Sequence, residues 1–216
     1  FKKGGKITTF EVASLGDPLA LEHITGSLAK TIDFFSGLEN GRLRIVTKYD
    51  NVDSLLKLNH NKNAEFRISI NSNYVIENFE HNTAKLDERI EAIIKLANAG
   101  YPIGFLVAPI MQYENWKEEY GILFQKLEKN LGIHLSKEKL VFELIQHRFT
   151  AVAKELILQR FPKTKLDMDE ENRTLKWGRF GRYKYVYPKE EAEEIKQYMF
   201  SLILERFPNA DIKYFT

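Results

Sequence analysis

The chain of 216 residues contains no cysteine at all. Disulfides, thiol nucleophiles and zinc or iron–sulfur sites ligated by cysteine are therefore excluded within it. Long apolar runs are missing too: none approaches the roughly 20 residues of a membrane span. The opening FKKGGK is basic but leads into no apolar stretch, so it does not read as a secretory signal. It also lacks an initiator methionine, which points to a fragment or a processed chain. No glycine-rich phosphate fingerprint follows any apolar run, and no Ser-His-Asp arrangement stands out by spacing. The five histidines, at 23, 60, 81, 134 and 147, are scattered, and no pair has ligand spacing such as i, i+4. Net charge is only +2, so no global imbalance selects a partner. These absences predict a cytoplasmic protein with no membrane association.

What is present is a rhythm. The stretch Leu140–Phe149, LVFELIQHRF, is an apolar run that stops at Gln146, His147 and Arg148, with Glu143 its only internal charge. Bounded apolar runs followed by helical patterns read as buried parallel strands. LRIVTK, ending on Lys48, FRISIN, ending on Asn71, and GFLVAP, ending on Pro109, repeat the pattern. With a strand over Ile7–Ser14, five strand ends fall at gaps that suit βα units. A helix is expected from an Asp17-Pro18 start, with Leu21, Ile24, Leu28, Ile32 and Phe35 inward and Gly37 as stop. Others are expected around Val52–Leu58, over Thr83–Gly100, over Trp116–Leu131, up to about Gln159, and after Pro188. A last short strand covers Asp211–Thr216. Alternation of this kind implies a parallel sheet, open or curled into part of a barrel, whose strand ends form one rim.

On that rim Lys48 is placed to fix a carboxylate or phosphate, or else is a buried-stem lysine reaching solvent. Ser69 and Asn71 share a strand face, where they can hydrogen-bond a ligand or each other. The pattern breaks at Pro162: an acidic loop (Asp167, Asp169, Glu170, Glu171) precedes Arg173–Tyr187, RTLKWGRFGRYKYVY. That stretch holds five basic residues, five aromatics and no acid, and two glycines bracket Arg179-Phe180 as hairpin-turn residues. Interleaved cations and rings suit nucleic acid, with charges on phosphates and rings stacked on or wedged between bases. The other reading is an edge hairpin whose rings pack one face. The boundaries predicted are a partial (β/α) barrel over 1–161 and a C-terminal segment over 162–216. The segment carries the hairpin (173–187) and packs on the barrel as one domain.

The blocks FEVASLGDPLALEHITGSL, LRIVTKYDNVDSLL, FRISINSNYVIENFE, AGYPIGFLVAPI, FELIQHRFT, the hairpin stretch and the end FPNADIKYFT closely resemble spore photoproduct lyase, a radical S-adenosylmethionine family. The likeness covers the carboxyl-terminal two-thirds or so of the family. It implies a partial (β/α)6 barrel, its first strand and cluster loop missing here, that repairs the UV-induced thymine dimer of spore DNA. In the family a [4Fe–4S] cluster cleaves S-adenosylmethionine, and the resulting radical abstracts hydrogen from the lesion. The dimer then fragments, and a cysteine returns a hydrogen atom. By position Lys48, Ser69 and Ala108 match cofactor-contacting residues. Arg179-Phe180 matches the tip of the DNA-engaging hairpin, where Arg-Tyr is usual. Trp177, Arg182, Lys184, His147 and Arg148 are further candidates for substrate or DNA binding. Two departures stand out. The Cys-x3-Cys-x2-Cys motif lies upstream of residue 1, so this chain has no metal ligands of its own. The donor cysteine aligns with Ser14, whose O–H bond is much stronger than a thiol S–H. The resemblance also implies double-stranded DNA carrying the dimer as partner, a monomer, and the spore core. A non-catalytic DNA-binding module of the same fold, and a radical enzyme with another substrate, remain the alternatives.

Overall fold

The computed structural model describes residues 6–12, 16–135 (side chains to 131), 139–178 and 183–216. Six strands form one wholly parallel sheet: β1 (Thr8–Val12), β2 (Gly41–Thr47), β3 (Ala64–Ile70), β4 (Ile103–Ile110), β5 (Val141–Gln146) and β8 (Asp211–Phe215). Their spatial order is that of the sequence, and the sheet curls into a half-barrel. The expected partial barrel is what the chain forms. Period-2 alternation sets its two faces. Leu43, Ile45, Phe66, Ile68, Phe105, Val107, Phe142 and Leu144 are all buried on the convex side. There they join helices α2 (Ser27–Ser36), α4 (Leu86–Asn98), α5 (Trp116–Leu135) and α7 (Lys189–Arg206) in a single core. Leu86, Ile90 and Ile93, Tyr120, Leu123, Phe124 and Leu127, and Ile195, Met199, Leu202 and Ile203 supply the helical faces, as their spacing predicts.

The first helix differs from expectation. It is broken into α1 (Glu22–Thr25) and α2 at Gly26, which takes the left-handed conformation (φ 59°). The cause is Glu22. Its buried carboxylate turns forward and accepts from the amides of Leu28 (2.7 Å) and Ala29 (3.0 Å), capping α2 in place of continuing one helix. Leu21 and Ile24, expected inward, are exposed as a result. A short helix α3 (Asn73–Phe79), capped by Ser72 Oγ on the Val75 amide, was not foreseen. Between Val52 and Leu58 only one 3-10 turn forms, Asp53–Leu55.

The hairpin is present as β6 (Thr174–Trp177) and β7 (Tyr183–Val186), antiparallel and separate from the main sheet. A lone bridge between Phe149 and Tyr185 ties it to the chain leaving β5. Between them, α6 (Ala151–Arg160) buries none of its residues.

Candidate functional site

The carboxyl ends of the strands surround a cleft of about 640 Å³. Its rim is built by side chains that bind backbone. Asp17 Oδ2 accepts from the Lys48 amide (2.6 Å), and its Oδ1 accepts from Thr47 Oγ1 (2.7 Å), so the loop after β1 is fastened to the end of β2. Asp17 also caps the Leu19 amide, but its chief role is to hold residue 48 in place. The Lys48 ammonium donates to Glu80 Oε1 (2.7 Å), while Arg89, fully buried, donates to the other oxygen of the same carboxylate (2.7 Å). Arg89 further reaches the carbonyls of Ala84 and Ser69. A lysine at the mouth is thus fixed by a carboxylate that is itself fixed from behind.

Ser69 and Asn71 share a face but differ in satisfaction. Asn71 accepts from Tyr120 Oη (2.9 Å) and donates to the Pro109 carbonyl (2.8 Å), across the cis Ala108-Pro109 peptide. Ser69 is 1% exposed and lines the cleft, and its buried Oγ has no hydrogen-bond partner among the described residues. Ala108 lines the same wall. Burial pushes the Tyr120 phenol well above its ordinary range, so it stays a donor.

Below the rim lies a charged floor that sequence reasoning missed. Glu143, from the middle of β5, is 3.5 Å from Arg44 and 3.6 Å from Arg67, and it accepts from Tyr214 Oη at 3.1 Å. Arg67 also pairs with Glu65 at 2.8 Å. Burial pulls the Arg67 guanidinium below its usual value, against the opposing pull of Glu65 and Glu143. Burial, with Glu143 beside it, pushes the Tyr214 phenol up to about 12. The signal was an arginine inside the buried strand FRISI and a glutamate inside LVFELI.

His147 and Arg148 diverge. Arg148 is exposed and lines the cleft, whereas His147 is buried, facing away into a small pocket with Arg173 and Asp167. Burial first, and then the Arg173 charge, lower the His147 pKa to about 4, so the ring is neutral at physiological pH. Arg173 itself is buried over the Tyr187 ring (3.8 Å) and bonded to Asp167 (3.1 Å). It anchors the hairpin's root and does not present its charge to solvent. Burial pushes the Asp167 carboxyl up, but the Asp169 amide and Arg173 together hold it below the usual range.

On the hairpin Trp177 is 63% exposed, its ring edge-on to Tyr183. Lys176 and Lys184 stand directly opposite each other across the strands, with no ion-pair partner among the described residues. Like charges in that register repel. Ser14, Arg179, Phe180 and Arg182 lie outside the described residues. Among those described, no group of three or more His, Asp or Glu side chains is gathered as a metal would need.

The family model for spore photoproduct lyase matches residues 2–216. The chain is 50% identical over 216 residues to a spore photoproduct lyase of Geobacillus sp. (strain Y412MC61), covering all of this chain and 63% of that protein. It is 47% identical over 215 residues to the Bacillus subtilis (strain 168) enzyme, again 63% of its length. Among solved structures, a spore photoproduct lyase complexed with dinucleoside spore photoproduct superposes with a TM-score of 0.94 at 50% identity, over 99% of this chain and 63% of that one. A variant with bound AdoMet and dinucleoside spore photoproduct gives 0.93 at 51% identity, over 98% and 62%. The chain thus spans a little under two-thirds of the relatives it matches. By sequence and fold alike, it belongs to the spore photoproduct lyase family.

Proposed function

We propose that this chain is the cofactor-holding barrel and DNA-engaging hairpin of an enzyme that repairs the spore thymine dimer by S-adenosylmethionine radical chemistry. The observation that carries the cofactor half is Ser69. A buried hydroxyl without a partner, on the wall of a cleft roomy enough for a nucleoside, is costly unless a ligand completes it. Lys48 has three ammonium protons and commits one to Glu80, which leaves two for a carboxylate. The Ala108 backbone, beside them, is placed for the adenosine end. Bound there, the cofactor would supply the hydrogen-abstracting species that opens the repair.

The chain's own residues then have defined tasks. Lys48 orients the cofactor's amino-acid end, Ser69 fixes its position by hydrogen bonding, and the helices behind the sheet keep water from the barrel's back. Arg148, on the rim, is placed to meet a phosphate of the incoming strand. The residues of this chain do not fit a [4Fe–4S] cluster, because thiolates hold cluster iron and the sequence has none. Ser14, at the position of the family's hydrogen donor, is a poor replacement, since its O–H bond is much stronger than a thiol's S–H.

The DNA half rests on the hairpin. Lys176 opposite Lys184, with exposed Trp177 at the same end, is an arrangement that an anionic partner relieves. Serine at position 14, where the family's donor is a cysteine, favours a second reading: a DNA-binding module of the same fold without the chemistry. Fluorescence anisotropy with duplexes that do and do not carry one spore photoproduct separates the two. A preference for the lesion is expected. Equal affinities would leave only the general binding module.

A further inference from the structure

A second basic groove lies outside both the cleft and the hairpin. The end of α3 and the chain after α6 enclose about 420 Å³, lined by Asn78, His81, Arg160, Phe161, Lys163 and Lys165 among others, and, among the described residues, by no acidic side chain. Of the acids near these residues in sequence, Glu80 is committed to Lys48 and Arg89 (2.7 Å each), Asp167 to Arg173 (3.1 Å) and Glu170 to Lys154 (3.0 Å), while Glu77, exposed on α3, does not line the groove. Arg160 sits in the last turn of α6, where a cation favours the helix terminus. Lys163 and Lys165 lie past the helix, so the helix terminus does not account for them. The Phe161 ring is 51% exposed and 5.8 Å from the His81 ring. Three permanent cations around an apolar wall, without a carboxylate, suit a polyanion that also carries apolar rings.

The groove is connected to both parts of the proposed site. His81 follows Glu80, whose carboxylate holds Lys48 at the mouth of the cleft. Lys165 lines this groove and also the small pocket at the hairpin's root, beside His147 and Arg173. We propose that this groove holds the sugar–phosphate backbone of duplex DNA beside the lesion, with Arg160, Lys163 and Lys165 on successive phosphates and Phe161 against a deoxyribose. The proposal rests on the DNA reading given above and adds a contact surface to it.

The test compares two lesion-containing duplexes, one ending close to the lesion and one extended well beyond it. The unaltered 216-residue chain and a Lys163→Ala/Lys165→Ala variant are titrated by fluorescence anisotropy across a salt series. Both lysines are exposed, so the substitution removes charge and leaves the core alone. The expected result is a loss of about tenfold or more in affinity for the extended duplex, with the salt slope smaller by about two. The short duplex should bind as before. Unchanged affinity for the extended duplex, or an equal loss on both, would overturn the groove. If the unaltered chain binds neither duplex, the DNA reading itself falls, and this proposal with it.

Discussion

The guanidinium of Arg67 occupies the space that a side chain at Gly104 would need: a Cβ at position 104 would stand 1.4 Å from Arg67 Nη1 and 2.6 Å from its Cζ. The cross-strand neighbours therefore fit only because one has no side chain, and the barrel floor depends on it. Gly104→Ala forces Arg67 aside, yet Arg67 is 2% exposed and tied to Glu65 at 2.8 Å. A cost of about 1–3 kcal/mol is expected, as for overpacking elsewhere. In an Arg67→Ala background the same methyl should be nearly free, giving a coupling of about 0.5–3 kcal/mol in a urea-denaturation double-mutant cycle. Additive costs would show that the guanidinium is not what fills the space.

Lys48 and Glu80 should separate in function and stability. The Lys48 side chain is one-third exposed, so Lys48→Ala should leave urea midpoints almost unchanged. By calorimetry it should weaken S-adenosylmethionine binding about tenfold or more, the worth of one charge-assisted hydrogen bond. Glu80→Ala strands the fully buried Arg89 and should cost about 3 kcal/mol or more of stability. Equal cofactor affinity for wild type and Lys48→Ala would remove Lys48 from the site.

The hairpin offers effects of opposite sign. Lys184→Glu places an acid directly across from Lys176, which should stabilise the strands by about 0.2–1 kcal/mol while weakening DNA binding. A variant that is more stable and binds as well as before would mean these lysines do not meet DNA. Phe180→Ala is expected to spare affinity for intact duplex and reduce the preference for the lesion-containing one. Parallel losses on both duplexes, read by anisotropy, would mean that the ring has no wedge role.

His147 makes the fold acid-sensitive. Its pKa falls from 6.5 to about 4 on folding, so between those values the unfolded chain takes up a proton that the folded one refuses. Stability from this group is intact above pH 6.5 and is lost as pH falls toward 4. From pH 7 to pH 5 the loss should be about 2 kcal/mol. His147→Gln should remove that share of the slope. An unchanged difference between denaturation curves at the two pH values would contradict it.

The strand–helix alternation was legible because each strand is short, apolar and flanked by polar ends, and a parallel sheet followed; that it curls came from the family resemblance. The broken first helix was not, since spacing shows that Leu21 and Ile24 match a stripe but not that Glu22 will cap the next helix. Lys48 and Ser69 were legible as a shared rim, because strand ends converge in any such sheet, whereas Ala108 came only with the family resemblance. The floor was not: Arg44, Arg67, Glu143 and Tyr214 come from four strands, and only the sheet order brings the three charges and the phenol together. Arg173 counts as one more cation in the hairpin's composition, and only burial shows that Asp167 and Tyr187 have claimed it.

Helix α6 buries none of its ten residues and leaves Val152, Leu156 and Leu158 open to solvent. A helix of that length is marginal without tertiary contacts. Its amide protons should therefore exchange with deuterium far faster than those of β3 or β4, through local fraying that leaves the barrel intact. Melting curves would then be nearly blind to this segment. Substitutions at its apolar positions would escape a thermal screen and surface in solubility, in protease nicking near residue 160, or in exchange rates measured peptide by peptide.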